Sequence, residues 1–243
     1  MRPRVSGPFS ASRRQSGLSL IEMMIALALT MALSAGMLSL LMNTRGSSKA
    51  QTQLEQLQED QRLALIRLTD TVQNASYFPN PQTSAASIEL PANAQFATAG
   101  QGLTGSSKAS APGDTLLVRY EAGTTDGVMD CTGKANSTGA ALVMVNSFSV
   151  DANGNFNCSV NGSASVLTLA SGVSNFKVLY GVDTNLDGAA DEYIPASAMS
   201  AANWSNVESV RITFTFSNPL AGQPGQSSTL APITQIIPVL NQI

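Results

Sequence analysis

The strongest constraint on this chain is an unbroken apolar run, "LSLIEMMIALALTMALSAGMLSLLM" at 18–42, in which Glu22 is the only charge. Such a run is long enough to cross a hydrocarbon core of roughly 30 Å as a helix. A carboxylate in hydrocarbon is costly, so Glu22 marks a functional position and requires a partner. Four arginines, Arg2, Arg4, Arg13 and Arg14, precede the run, and no acid does. That asymmetry predicts a cytoplasmic N-terminus, with the remainder on the other side of the membrane. A cleaved secretory signal is the competing reading, with Ala32-Leu33-Ser34 as a small-residue cleavage site. It leaves Glu22 unexplained, and the apolar run continues for eight residues beyond Ser34.

Beyond the run the charge balance reverses. Nine of the thirteen basic residues follow residue 17, against sixteen acidic ones, so this part carries −7 within a chain of −3. An acidic body argues against nucleic-acid binding through a basic face. The chain contains no His, which removes the commonest general base and the commonest metal ligand together. Cys131 and Cys158 are 27 positions apart, without CxxC spacing. In an oxidising compartment they predict one disulfide, and otherwise two buried thiols.

After Met42 a helical period persists. Leu54, Leu57, Gln61, Leu65, Leu68 and Val72 recur at three- and four-residue steps, with Glu55, Glu59, Asp60, Arg62 and Arg67 mostly between them. This is an amphipathic helix with one buried face. Gly46-Ser47-Ser48 is expected to soften the joint between the two halves, and Pro79-Asn80-Pro81 to end the second. The stretch 82–113, rich in small residues, reads as a long surface connection.

Strand signals then take over. "TLLVRY" at 115–120 and "ALVMVNSFSV" at 141–150 are apolar and β-branched. Asn153-Gly154 and Asn161-Gly162 predict tight turns with positive φ, giving a meander over 141–150, 155–160 and 163–170. "SNFKVLYGV" at 174–182 is a further strand. In "VRITFTF" at 210–216, Val210, Ile212, Phe214 and Phe216 share one face, as in a half-buried antiparallel strand. "ITQIIPVL" at 233–240 belongs at an edge because of Pro238. An α+β fold follows, in which the amphipathic half-helix covers an antiparallel sheet. Its divisions are a basic leader at 1–17, the helix and its extension at 18–76, and a β-rich head at 77–243.

One loop suggests a metal. In "DTNLDGAADEYI" at 183–194, Asp183, Asn185, Asp187, Gly188 and Asp191 match positions 1, 3, 5, 6 and 9 of a calcium loop. The twelfth position is Ile194 instead of a bidentate Glu. The alternative is an acidic turn closed by Asx hydrogen bonds, with no cofactor. Ser174-Asn175-Phe176-Lys177 spells S-x-x-K, a serine–lysine pattern of acyl-transfer enzymes. On a strand those two side chains point oppositely, so no catalytic residue is expected. Trp204, the only Trp, reads as a core or rim anchor.

Gly17-Leu18-Ser19-Leu20-Ile21-Glu22 resembles the class III leader of type IV prepilins and type II secretion pseudopilins. The resemblance implies cleavage by prepilin peptidase after Gly17 and methylation of Leu18, where the family usually has Phe. Glu22 becomes the fifth mature residue, one turn from the new amine, and can pair with the amine of a neighbouring subunit in a filament. "YGVDTNLDGAADEYI" and "WSNVESVRITF" resemble the C-terminal region of PilW-type minor pilins. The pilin-like fold this implies is the α+β arrangement already derived. The implied role is a minor pilin of a type IV pilus, single-pass in the bacterial inner membrane with a periplasmic head, and then incorporated at the filament tip. Its implied partners are other minor pilins, the major pilin and the inner-membrane assembly machinery. The alternatives are a minor pseudopilin of type II secretion and a secreted or membrane-anchored β-rich binding domain.

Overall fold

The computed structural model describes residues 17, 19–110 and 112–241. It divides into two compact units, residues 1–49 and 50–243. Helix α1 (Leu20–Gln73) contributes to both. In the first unit every described residue is exposed. Leu, Met and Ala dominate this stretch and are strong helix formers. Thr30 returns its hydroxyl to the Ala26 carbonyl at 2.6 Å, so its polar group is satisfied within the helix. The expected joint at Gly46-Ser47-Ser48 is not a break, since those residues are helical throughout.

In the second unit α1 buries Leu57, Ala64, Leu68, Thr71 and Val72. The steps of seven, four and three or four place them on one stripe, as the period predicted. The helix stops at Gln73, before Pro79 can act. Ser76 adopts φ 63°, a left-handed turn that ends a helix. Its N–H donates to the Arg119 carbonyl at 3.0 Å instead of continuing the ladder.

The stretch 82–113 is more structured than a connection. It contains a short helix α2 (Ala86–Glu89) and strand β1 (Leu103–Ser106), and it buries Leu90, Phe96 and Leu103. Small residues gave it no period. Its order comes from elsewhere: β1 pairs with β2 (Thr115–Ala122), Leu103 opposite Val118.

Two antiparallel sheets follow, where one was expected. The first has the order β1-β2-β3-β4-β5, with β3 (Leu142–Val150), β4 (Phe156–Val160) and β5 (Leu167–Ala170). The second has the order β7-β6-β8-β9, with β6 (Val173–Val182), β7 (Glu192–Pro195), β8 (Val207–Phe216) and β9 (Ile233–Pro238). The break falls between Ala170 and Val173, where Gly172 has φ 74° and the chain changes sheet. Phe156 closes the core between them. Its ring lies 5.0 Å from Phe176 and 4.9 Å from Phe214, both on the second sheet. Such pairs add about 0.5–1.5 kcal/mol beyond their buried area. Pro238 does end an edge strand, β9.

The two Asn-Gly turns differ. Asn161 and Gly162 both have positive φ, 51° and 68°, as the pair predicts. At 153–154 only Gly154 does, at 77°. There the Asp151 carboxylate shapes the turn, accepting from the N–H groups of Asn153 at 2.8 Å and Asn155 at 3.0 Å.

Candidate functional site

The N-terminal site begins in the first turn of α1. The N–H groups of Glu22 and Met23 both donate to the Ser19 carbonyl, at 3.0 and 3.1 Å. Glu22 therefore sits where an acid complements the positive end of the helix dipole. Among the described residues it has no ion-pair partner, and its exposed position leaves the carboxylate available to another chain. Gly17 is exposed too, and a Cβ there would meet nothing within 4 Å. Leu18, the expected processed residue, lies outside the described residues, as does the leader at 1–16. The apolar part of α1 is long, nearly uncharged and unburied. By length and composition this helix can cross a membrane.

The acidic loop joins β6 to β7, a strand that the sequence pattern left out. Its residues converge, but on their own backbone. Asp183 Oδ1 accepts from the N–H groups of Asn185 at 3.1 Å and Leu186 at 2.6 Å, and Oδ2 accepts from Gly188 at 2.7 Å. Asp191 Oδ2 accepts from the Thr184 hydroxyl at 2.7 Å and its N–H at 2.8 Å. These bonds hold the Asp191 carboxyl below the usual carboxylate range. Asn185 turns its amide nitrogen towards Asp187 at 3.2 Å and Asp191 at 3.3 Å. Its amide oxygen accepts from the Asp187 N–H at 3.0 Å. Ile194, in the twelfth position, is paired in β7 with Tyr180. Among the described residues no group of three His, Cys, Asp or Glu is arranged to hold a metal ion. The structure builds this loop as a network of Asx turns.

Cys131 and Cys158 form a disulfide, their Cα atoms 6.2 Å apart. Both are fully buried. The bond ties the loop after β2 to the middle of β4, and the Asn146 side chain accepts from the Cys131 N–H at 2.8 Å. The S-x-x-K stretch lies within β6. The Ser174 hydroxyl donates to the Thr215 carbonyl at 2.9 Å, while Lys177 pairs with Asp114 at 3.2 Å. Serine and lysine are thus each engaged with a different partner. Trp204 packs its ring 4.7 Å from Tyr180 at the rim of the core.

The pattern missed Arg119. It is 1% exposed and, among the described residues, has no carboxylate within ion-pair distance. An Arg inside the apolar strand "TLLVRY" was the available signal.

Two family comparisons match. Residues 12–38 match the prokaryotic N-terminal methylation motif, and residues 134–231 match type IV pilus-assembly protein W. Neither a curated protein nor a solved structure matches the chain. A methylation motif leading into an exposed apolar helix, ahead of a two-sheet body bearing the pilus-assembly match, makes this chain a type IV prepilin-like protein.

Proposed function

We propose that this protein is a minor pilin of a type IV pilus, structural and not catalytic. The observation that carries the reading is the methylation-motif match at 12–38 in the same chain as the pilus-assembly match at 134–231. In this reading prepilin peptidase cuts after Gly17 and Leu18 carries the methylated amine. The apolar part of α1 holds the precursor in the inner membrane, with the sheet-bearing body periplasmic. Other minor pilins join it in a complex that primes assembly, and the complex ends at or near the filament tip beside the major pilin.

Glu22 has a defined physical task in that scheme. A buried carboxylate is tolerated when a hydrogen-bonded opposite charge accompanies it. The amine of a neighbouring subunit supplies that charge, so the pair sets axial register as well as affinity. Glu22→Ala should leave membrane insertion and processing intact and lower recruitment into pili, read by immunoblot of sheared filaments. Normal incorporation of the variant would remove the pairing. In a deletion strain, loss of surface pili with normal exoprotein secretion supports the pilus reading; the converse assigns the chain to type II secretion.

A further inference from the structure

At the end of the body where α1 stops, a cavity of about 250 Å³ opens between five stretches that are separate in sequence, one of them Ser76. Ala86 comes from α2, Gly100 and Gln101 precede β1, and Trp204 and Ser205 belong to the end of the short helix α3 (Ala201–Trp204) and its cap. Asn241 closes the rim. None of the lining residues carries a charge.

One wall is held in place by a backbone conformation that costs free energy and by a close approach that only glycine allows. Ser76 is a non-glycine residue at φ 63°, and its hydroxyl donates to the Gly100 carbonyl at 3.0 Å. Gly100 itself has φ 83°. A Cβ on Gly102 would lie 2.2 Å from the Ser76 nitrogen, so only glycine fits. Arg119 then fixes the Gln101 carbonyl from behind with two hydrogen bonds. Strained backbone of this kind persists where the surroundings over-determine it, and it concentrates at ligand clamps. A cavity built this way is formed before anything enters it, which lowers the ordering cost of binding.

The lining chemistry selects the ligand. Without a charged group the cavity offers no ion-pair partner to a phosphate, a carboxylate or an ammonium, so a neutral ligand loses least on entering it. A lining of one tryptophan, several small residues and hydroxyl, amide and backbone groups suits a neutral ring that is apolar on its face and polar at its edge. The volume lies just under the usual range for small-molecule pockets of about 300–1,000 Å³, enough for one ring and not a chain. We propose that this cavity binds a single neutral sugar unit, seated against Trp204. Its binding does not depend on whether the chain enters a pilus.

Trp204 is the only tryptophan in the protein, so its emission reports the cavity directly. The full processed chain, kept in a zwitterionic detergent free of sugar headgroups, is titrated with the methyl glycosides of glucose, galactose, mannose, N-acetylglucosamine and N-acetylgalactosamine. The proposal expects a saturable emission change with at least one of them at millimolar concentration. Ala86→Leu fills the cavity from one side and Ser205→Leu from the other. Each variant that melts at the parent temperature should weaken that binding by about tenfold or more. No response to any glycoside overturns the proposal, as does a response that such variants retain in full.

Discussion

The guanidinium of Arg119 grips the carbonyl of Gln101 with two hydrogen bonds, 3.0 Å from Nε and 2.7 Å from Nη2. It also donates to the Pro91 carbonyl at 2.7 Å and the Leu90 carbonyl at 3.3 Å, and it lies 4.3 Å from the centre of the Phe96 ring. Burial lowers its pKa to about 10, which still leaves it charged at neutral pH. One side chain thus ties the Pro91 and Gln101 carbonyls together across the segment 90–101, which closes itself through the Gly100 N–H on the Leu90 carbonyl at 2.8 Å. Arg119→Met removes those donors while keeping much of the volume, and should cost about 3 kcal/mol of stability, given the usual penalty for stranding buried acceptors. Chemical denaturation measures this. A change under about 0.5 kcal/mol, the ordinary surface range, would show that the segment holds itself.

Glu121, on the same strand, makes stability depend on pH. Burial, and then the neighbouring Glu89, raise its pKa above the usual carboxylate value. A group whose folded pKa is raised adds stability that is complete below its unfolded pKa near 4.3. That stability is lost as pH rises through the higher folded pKa. Glu121→Gln should therefore raise the melting temperature at neutral pH and bring the two proteins closer as pH falls towards 4.3. Parallel melting curves across that range would contradict it.

Asp183 is the centre of the acidic loop, with three backbone N–H groups on its two oxygens. Asp183→Ala strands those donors and should cost about 1–3 kcal/mol. With its oxygens so engaged, calorimetry with millimolar calcium on the full chain is expected to show no binding heat. A saturable heat that Asp183→Asn removes would assign the loop to calcium instead.

The parts of this fold that could be read in advance are those with a period. Leu57, Leu68 and Val72 announced the buried stripe of α1, and Val210, Ile212, Phe214 and Phe216 announced the inner face of β8. The disulfide could be paired because only two cysteines exist. What escaped was order imposed from a distance. Strand β1 and helix α2 lie in small residues with no pattern; β1 pairs with the edge of β2, and Arg119 holds the carbonyls just after α2. The division into two sheets escaped as well, since a turn at Gly172 looks locally like any hairpin. Of the candidate site residues, Glu22 stood out because it is the one acid in a long apolar run. Residues Asp183, Asn185, Asp187 and Asp191 fall in one loop whose oxygens accept from its own N–H groups, and residue spacing alone does not distinguish such a turn from a cation loop.

The most direct test of the central claim is the mature N-terminus of the membrane-extracted protein, read by intact mass and terminal sequencing. Processing as a type IV prepilin predicts a chain that begins at Leu18 and carries one methyl group on its α-amine. A Gly17→Leu precursor should retain the leader. A mature chain beginning after Ser34, or an unprocessed one in cells with active prepilin peptidase, would contradict the account.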